Sequence, residues 1–243
     1  MKALSAVLAA VLAGFVLTGC ATQRAIDGPQ EVNDPFERFN RVMFNTTLAV
    51  DKAVLRPTAI AYRAIFPQPI RDGVRNFLNN LDSPVIFTND LLQGELARAK
   101  VTLVRAAVNS TIGIGGLFDV ADHWGLPGHR EDFGQTLATF GVGEGPYLFI
   151  PLFGPANPRD LLGFGTDMFF QPLTYVQWGD ESYVPYVRHG IDLLDLRARN
   201  IETLDEIQQT SLDYYASVRS LYRQSRNNEI NNGAAPVEDL PDF

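Results

Sequence analysis

The chain is poor in the residues on which most enzymes and disulfide-stabilised proteins depend. Its 243 residues include one cysteine and three histidines, so a disulfide framework is excluded and nucleophilic catalysis has few candidate bases. Beyond residue 19 the only lysines are Lys52 and Lys100, and neither lies in the Gly-x-x-x-x-Gly-Lys-Ser/Thr frame of a P-loop. A Gly-x-Ser-x-Gly nucleophile elbow is also missing. We expect no cofactor and no enzymatic activity, although paired-carboxylate catalysis stays open.

Positive charge is also scarce. The formal net charge of the chain is −8. An acidic chain is a poor nucleic-acid binder and does not adhere to anionic lipid headgroups by charge alone. We therefore expect no nucleic-acid partner, and any membrane contact has to come from an anchor or from apolar faces.

The single cysteine lies at the end of a predicted signal peptide, residues 1–19. Lys2 supplies the early positive charge, and an apolar run from Ala6 to Leu17 follows. The sequence Leu17-Thr18-Gly19-Cys20 is similar to the lipobox of bacterial lipoproteins, which predicts that Cys20 is acylated and anchors the mature chain. Ala21, rather than aspartate, follows and favours the outer membrane. The alternatives are an ordinary signal peptide and a retained span, which needs ~20 apolar residues.

Composition divides the remaining chain into three parts. Residues 20–33 are polar and predict a flexible tether. Residues 34–226 carry the amphipathic patterns and form the predicted folded domain. Residues 227–243 are polar, acidic and proline-bearing, which predicts a disordered tail.

The folded part shows repeated helix starts at proline and few alternating strand patterns. Asp34-Pro35-Phe36-Glu37 predicts a helix capped by Asp34, and Asn157-Pro158 predicts another start. Arg56-Pro57 predicts the end of the first helical unit. From Tyr183 to Arg226 a narrower apolar stripe predicts one or two longer helices. The expected fold class is all-α, built from short amphipathic helices.

Several features have two interpretations. The wide apolar helix faces fit either ordinary core packing or contact with acyl chains. The excess of arginine over lysine reflects either composition bias or the binding of phosphate groups. One dense set of acids and histidines fits a solvated loop better than a metal site, because its spacing matches no zinc motif. That set consists of Asp119, Asp122, His123, His129, Glu131 and Asp132.

Short motifs along residues 33–175 resemble those of the VacJ/MlaA lipoproteins, in the same order. They are Asp34-Pro35-Phe36-Glu37-x-Phe39-Asn40-Arg41, Phe44-Asn45, Arg56-Pro57, Leu91-Leu92-Gln93-Gly94, Asn109-Ser110-Thr111-x-Gly113-x-Gly115-Gly116-x-x-Asp119-Val120-Ala121, Phe133-Gly134-Gln135-Thr136-Leu137, Gly141-Val142-Gly143-x-Gly145-Pro146-Tyr147, Pro151-Leu152-x-Gly154 and Arg159-Asp160. Each motif alone is weak, whereas the ordered series is specific.

The resemblance implies a compact ring of helices in the inner leaflet of a Gram-negative outer membrane, on the periplasmic side. It implies a trimeric porin as partner and a channel for phospholipids misplaced in the outer leaflet. A soluble periplasmic carrier would receive these lipids, so that the membrane keeps its lipid asymmetry. A lipoprotein that scaffolds porins without moving lipid is the alternative.

The candidate residues for the lipid path or the shape of the ring follow from the same motifs and from one polar helix face. They are Asp34, Asn40, Arg41, Asn45, Arg71, Arg75, Asn76, Asn79, Gly113, Gly115, Gly116, Gly141, Gly143, Gly145 and Pro146. We expect the polar face of residues 71–79 to line a path for headgroups. The glycines are helix breaks and turns that bend the ring or form a gate.

Overall fold

Helices make up most of the described chain. The structure, a computed structural model, describes residues 33–175 and 183–233. Its elements, in chain order, are α1 (Glu37–Val50), a π-helical turn (Asp51–Leu55), α2 (Arg56–Ile65), α3 (Gln68–Leu81), α4 (Ser83–Leu92), α5 (Leu96–Thr111), α6 (Val120–His123), α7 (Phe133–Thr139), β1 (Leu148–Ile150), β2 (Gly154–Ala156), α8 (Pro158–Asp167), a 3₁₀ turn (Pro172–Tyr175), α9 (Val184–Arg199), α10 (Ile201–Thr210) and α11 (Tyr214–Ile230). The strands form one antiparallel hairpin. The all-α expectation is confirmed.

The first helical unit is longer than the sequence predicts. Arg56-Pro57 does not end it, because the π-helical turn joins α1 directly to α2 and Arg56 keeps a right-handed helical backbone. Proline lacks a backbone N–H and is tolerated in the first turn of a helix. Pro57 lies in the first turn of α2, so the wider turn before it lets the helix continue.

Asp34 does not cap α1, contrary to the prediction. The helix begins at Glu37 without a side-chain cap. The Asp34 carboxylate instead accepts hydrogen bonds from Asn40 Nδ2 at 2.8 Å, Tyr215 Oη at 2.5 Å and Arg219 Nη1 at 2.5 Å. A charge-assisted bond from a guanidinium is stronger than a bond from a neutral backbone N–H, so the contacts with α11 prevail.

The hydrophobic core lies where α1, the hairpin and α11 meet. The Phe44 ring contacts the rings of Phe149, Tyr214 and Tyr215 edge to face, with centroids 5.2, 5.4 and 5.5 Å apart. Asn40 is buried beside them, donates to Tyr147 O and accepts from Phe149 N. This amide supplies hydrogen bonds that the short edge strand lacks, and it fixes the hairpin on α1.

Polar side chains occupy much of the interior, and large apolar side chains lie outside. The largest fully buried side chains are all polar: Gln135, Asn40, Asn89, Asn157, Thr136 and Asp90. By contrast, Phe39, Ile65 and Phe169 are 58%, 67% and 71% exposed. Water-soluble proteins bury such residues as a rule, and contiguous exposed apolar surface marks a membrane or protein contact. Among the described residues, no helix is long and apolar enough to cross a membrane.

The helices pack in a closed circuit. Helix α2 packs on α9, α9 on α3, α3 on α5, and α5 on α4. Helix α4 then contacts α7, α7 contacts α8 and α11, α11 contacts β2, and β1 returns to α1. Because α1 continues into α2, this order describes a ring-like arrangement.

Arginine–carboxylate pairs join elements that are distant in sequence. Two guanidinium nitrogens of Arg41 donate to the Asp213 carboxylate. Two of Arg197 donate to the Asp51 carboxylate in the same bidentate manner, and Arg75 binds Asp195. The hydrogen bond from Arg41, aided by a backbone N–H, lowers the pKa of Asp213 to about 2. Most of the described arginines are used in this way, which explains the arginine excess structurally.

The C-terminal region forms three helices rather than one or two. The chain breaks at Asn200 and again before α11, where the Asp213 side chain accepts from Ala216 N. Helix α11 continues to Ile230, so the first residues of the predicted tail 227–243 are helical. Residues 1–32, with Cys20, residues 176–182 and residues 234–243 lie outside the described part.

Candidate functional site

A cavity of about 740 Å³ lies inside the helical circuit. Its wall comes from α3, α4, α5, α8, α9 and α11, together with the segments 119–132 and 168–174. Pockets that hold organic ligands commonly have ~300–1,000 Å³. The cavity is therefore large enough for a sizeable polar group.

One wall of the cavity carries neutral amides. Asn76, Asn79 and Asn80 reach it from α3, and Asn80 Nδ2 donates to Ser110 Oγ at 2.9 Å. Apolar side chains, among them Phe164 and Met168, contribute to the same lining. The cavity thus offers polar and apolar contacts side by side.

A dense ion-pair group lies at the α11 side of the cavity. Both Nη atoms of Arg226 bind the Asp132 carboxylate at 2.6 Å, and Nε lies 2.8 Å from Asp160 Oδ2. Burial opposes ionisation of Asp132, but the hydrogen bonds and charge of Arg226 outweigh it and lower the pKa of Asp132. Asp132 also accepts from Gln135 N and caps α7.

A second ion pair closes the opposite side. Arg188 of α9 binds both oxygens of Asp82, at 2.5 and 2.6 Å, and Gln171 Nε2 donates to Asp82 Oδ1 at 2.6 Å. These contacts fix α9 and the 168–174 segment to the corner between α3 and α4. On α5, Arg105 binds Asp119 at 2.7 Å and donates to Leu126 O.

Asp167 is the exception among the carboxylates that the structure describes on the wall. Its Oδ1 accepts from Asn89 Nδ2 at 2.9 Å, and its Oδ2 accepts from Phe133 N at 3.0 Å. Burial raises the pKa of Asp167 to about 6, and these neutral donors offset only part of the effect. The described structure gives this carboxylate no cationic partner within 4 Å.

Asp167→Asn is expected to change the pH dependence of stability. An aspartate whose pKa is about 6 when folded and about 3.9 when unfolded binds its proton more tightly in the folded protein. Its ionisation therefore destabilises the fold as pH rises from about 4 to 6. In Asp167→Asn, Oδ1 keeps both donors and no ionisation occurs. We expect the free energy of unfolding of this variant, relative to that of wild type, to be about 1–2 kcal/mol higher at pH 7 than at pH 4. Urea unfolding at both pH values measures this difference, and a constant difference would contradict it.

The structure separates the polar face predicted on α3 into two. Asn76 and Asn79 line the cavity, whereas Arg71 and Arg75 do not. Arg71 Nε donates to Phe66 O, and Arg75 binds Asp195 of α9. Residues 75 and 79 are also one turn apart, so helical spacing alone does not separate the arginines from the asparagines. Their hydrogen-bond partners outside α3 do.

The N-terminal candidates lie away from the cavity. Asp34, Asn40 and Arg41 belong to the junction of α1, the hairpin and α11, and Asn45 is exposed on α1. Their place in the ring-shaping set stays a prediction. None of them is among the residues that line the cavity.

The glycine candidates form two loops. Gly113, Gly115 and Gly116 turn the chain between α5 and α6, and Gly116 lies directly against Asn80. The remaining glycine candidates and Pro146 are in the loop before β1: Gly141, Gly143, Gly145 and Pro146. Turns rather than phosphate-binding loops account for both clusters, and their function as bend or gate stays a prediction.

Gly116→Ala is expected to be clearly more destabilising than Gly115→Ala. Both residues have positive φ, +95° and +69°, which costs an alanine about 1 kcal/mol. A Cβ on Gly116 would also lie 2.6 Å from Asn80 Cβ, whereas a Cβ on Gly115 meets nothing within 4 Å. We expect the free energy of unfolding to fall by about 2–4 kcal/mol in Gly116→Ala and by about 1 kcal/mol in Gly115→Ala. Thermal unfolding measures both. Equal losses would show that Asn80 moves aside freely.

The predicted acid–histidine set is dispersed, and three ligand-type residues come together elsewhere. Oxygen or nitrogen atoms of Asp90, His129 and Glu131 lie within 4.8 Å of one another. His129 Nε2 lies 2.9 Å from Asp90 Oδ1, and Arg98 binds Glu131 at 2.6 Å. The Arg98 guanidinium is the cationic partner of Glu131, so this carboxylate already belongs to an ion pair. Asp119 and Asp132 are used by arginines instead.

Several charged residues of the wall were not predicted from the sequence. Arg105, Arg188 and Arg226 come from three separate helices, and Asp167 from a fourth. Each is an ordinary member of an amphipathic helix in the sequence. Only the closure of the circuit brings them together.

Comparison with known proteins gives the family. The model of the MlaA lipoprotein family matches residues 32–229. The chain belongs to the MlaA lipoprotein family. The intermembrane phospholipid transport system lipoprotein MlaA of Haemophilus influenzae is 34% identical over 242 residues, which cover 97% of this chain and 95% of that protein. The protein of the same name from Escherichia coli K12 is 34% identical over 237 residues, 96% and 92% of the two chains.

A solved structure concerned with the maintenance of bacterial outer membrane lipid asymmetry contains a similar chain. It superposes with a TM-score of 0.75 at 33% sequence identity and covers 82% of this chain and 99% of that one. Both the family and the ring-like all-α architecture of the MlaA-like domain are thus supported by sequence and by structure.

Proposed function

We propose that this MlaA-family protein removes misplaced phospholipids from the outer leaflet of the outer membrane and thereby maintains lipid asymmetry. The observation that carries the proposal is a cavity lined by both polar and apolar groups, inside a protein whose exterior is rich in exposed apolar side chains. Its relatives from H. influenzae and E. coli are named as lipoproteins of intermembrane phospholipid transport, which supports it.

The geometry offers what a moving phospholipid needs. Transfer of a headgroup through hydrocarbon is costly because its polar atoms lose their hydrogen bonds to water. The amides of α3 and the charged groups near Arg226 and Arg188 replace those bonds inside the cavity. Exposed side chains such as Phe39 and Phe169 would rest among acyl chains outside.

We propose that acylated Cys20 holds the protein on the periplasmic side of the outer membrane. The described chain starts at Asn33, whose backbone oxygen accepts from Tyr147 N at 2.9 Å. Asn33 Nδ2 donates to Gly145 O at 2.9 Å. The tether of residues 20–33 would therefore leave the domain beside the loop that precedes β1.

The proposed partners are a trimeric porin and a soluble periplasmic carrier. The exposed apolar surface supplies area for a membrane-embedded partner as well as for lipid. The sequence has no nucleotide-binding motif, so the energy for directed transport would come from other components. The relatives belong by name to a transport system, which supports the need for partners.

Deletion of the gene in the host bacterium, followed by labelling of surface-exposed phospholipid, tests the proposal. We expect outer-leaflet phospholipid to rise and the wild-type gene to reverse the rise. Cys20→Ala is expected to restore little. Normal asymmetry in the deletion strain would contradict the function.

A scaffolding function is the second candidate, because the exposed apolar faces fit porin binding without transport. Asn79→Trp narrows the cavity and separates the two functions, with Asn45→Trp as the matched control on an exposed site of α1. Transport predicts that only Asn79→Trp raises surface phospholipid while porin co-purification is normal. Scaffolding predicts that both variants behave as wild type.

A further inference from the structure

The wall of the cavity carries more negative than positive groups. Among residues 33–175 and 183–233, seven carboxylates and four arginines line it, a formal excess of three negative charges. The carboxylates are Asp82, Asp119, Glu131, Asp132, Asp167, Asp192 and Glu229, and the arginines are Arg105, Arg130, Arg188 and Arg226. A net anionic ligand would enter this cavity against repulsion.

Nearly all of these charges are paired within the protein. The ion pairs are Asp82 with Arg188, Asp119 with Arg105, Glu131 with Arg98, Asp132 and Glu229 with Arg226, and Asp192 with Arg188. Within the described residues, two wall charges have no such partner. They are the half-buried carboxylate of Asp167 and the exposed guanidinium of Arg130.

One unpaired anion and one unpaired cation on the same cavity are complementary to a zwitterion. We propose that the cavity binds the headgroup of a zwitterionic phospholipid with a primary ammonium, with Arg130 on the phosphodiester and Asp167 on the ammonium. The inference rests on the proposed transport of phospholipids and adds the headgroup class. Anionic phospholipids with an uncharged alcohol headgroup bind less well.

The chemistry of each group supports its assignment. A guanidinium presents several N–H donors and binds phosphate oxygens more effectively than a single amide does. The Asp167 carboxylate has only neutral donors, Asn89 Nδ2 and Phe133 N, so an ammonium would supply its missing counter-charge. The paired charges around them keep the excess negative field that repels a net anion.

The test measures binding of two phospholipids that differ only in the headgroup. Full-length acylated protein is purified in detergent and mixed with equal amounts of phosphatidylethanolamine and phosphatidylglycerol of identical acyl chains, and native mass spectrometry counts the bound lipid. The variants are Asp167→Asn, Arg130→Gln and Glu206→Gln. Glu206 is exposed on α10 and does not line the cavity, so it is the matched control for loss of a carboxylate.

Wild type is expected to favour phosphatidylethanolamine by about fivefold, the effect of one partly screened ion pair. Asp167→Asn should lower this ratio, because the ammonium loses its carboxylate while the rest of the wall still repels a net anion. Arg130→Gln should weaken both lipids together. Glu206→Gln should keep the wild-type ratio. Thermal unfolding of each variant verifies that the fold is retained.

Two kinds of failure are distinguishable. Equal binding of both lipids by wild type, or an undiminished preference in Asp167→Asn, would overturn the headgroup inference and leave the transport function standing. Failure of wild type to bind either lipid would count against the transport function itself.

Discussion

Arg226→Ala is expected to destabilise the protein by about 2–4 kcal/mol, because it removes the counter-charge of the half-buried Asp132 carboxylate and of the more deeply buried Asp160 carboxylate. The Arg226 side chain is 10% exposed and binds Asp132 with both Nη atoms at 2.6 Å. It also contacts Asp160 and Glu229, so one guanidinium joins α7, α8 and α11 at the cavity. Urea unfolding at neutral pH measures the loss.

Two further variants isolate the cause. Arg223→Ala, on the same helix, removes an arginine that is 21% exposed, about twice as exposed as Arg226, and is expected to cost clearly less, about 1 kcal/mol. The double variant Arg226→Ala, Asp132→Asn removes the uncompensated charge and should regain a large part of the loss. If the double variant is as unstable as Arg226→Ala alone, packing rather than charge accounts for the effect.

Phe44→Ala and Phe39→Ala are expected to have opposite consequences although both residues are on α1. Phe44 is 5% exposed within the aromatic core, so its truncation should cost about 3–5 kcal/mol. Phe39 is 58% exposed, so its truncation should cost under about 1 kcal/mol. Thermal and urea unfolding compare the two.

Membrane binding reverses the order of these two variants. In a Cys20→Ala background, which removes the proposed anchor, flotation with phospholipid vesicles reports on the apolar surface alone. Burial of an exposed phenylalanine in acyl chains is worth about 1.5–3 kcal/mol, so Phe39→Ala should lower vesicle binding about tenfold. Folded Phe44→Ala should bind as wild type. Unchanged binding by Phe39→Ala would place this face outside the lipid.

The sequence predicts the helical class because its signals are local. Asn157 caps its helix as predicted, since a cap depends on residues three positions apart. Asp34 fails as a cap because Arg219 and Tyr215, far away in the chain, take its carboxylate. Pro57 fails as a helix end because a π-helical turn precedes it.

The candidate site is only partly predictable for the same reason. Asn76 and Asn79 were identified because their spacing places them on one helix face, and the structure brings both to the cavity. Arg75 has a similar local pattern but faces Asp195 of α9, which no local signal reveals. Asp167 and Arg130 stand out only because the other charged side chains on the described wall have ion-pair partners, which the sequence does not reveal.

The most direct test of the central claim captures lipid inside the cavity in living cells. A photo-crosslinking amino acid at position 79, on the cavity wall, is compared with the same amino acid at Glu206 outside it. We expect phospholipid to be covalently captured from position 79 and not from position 206, and the capture to fall when Asp167 and Arg130 are replaced. Equal capture at both positions, or none at position 79, would contradict passage of phospholipid through the cavity.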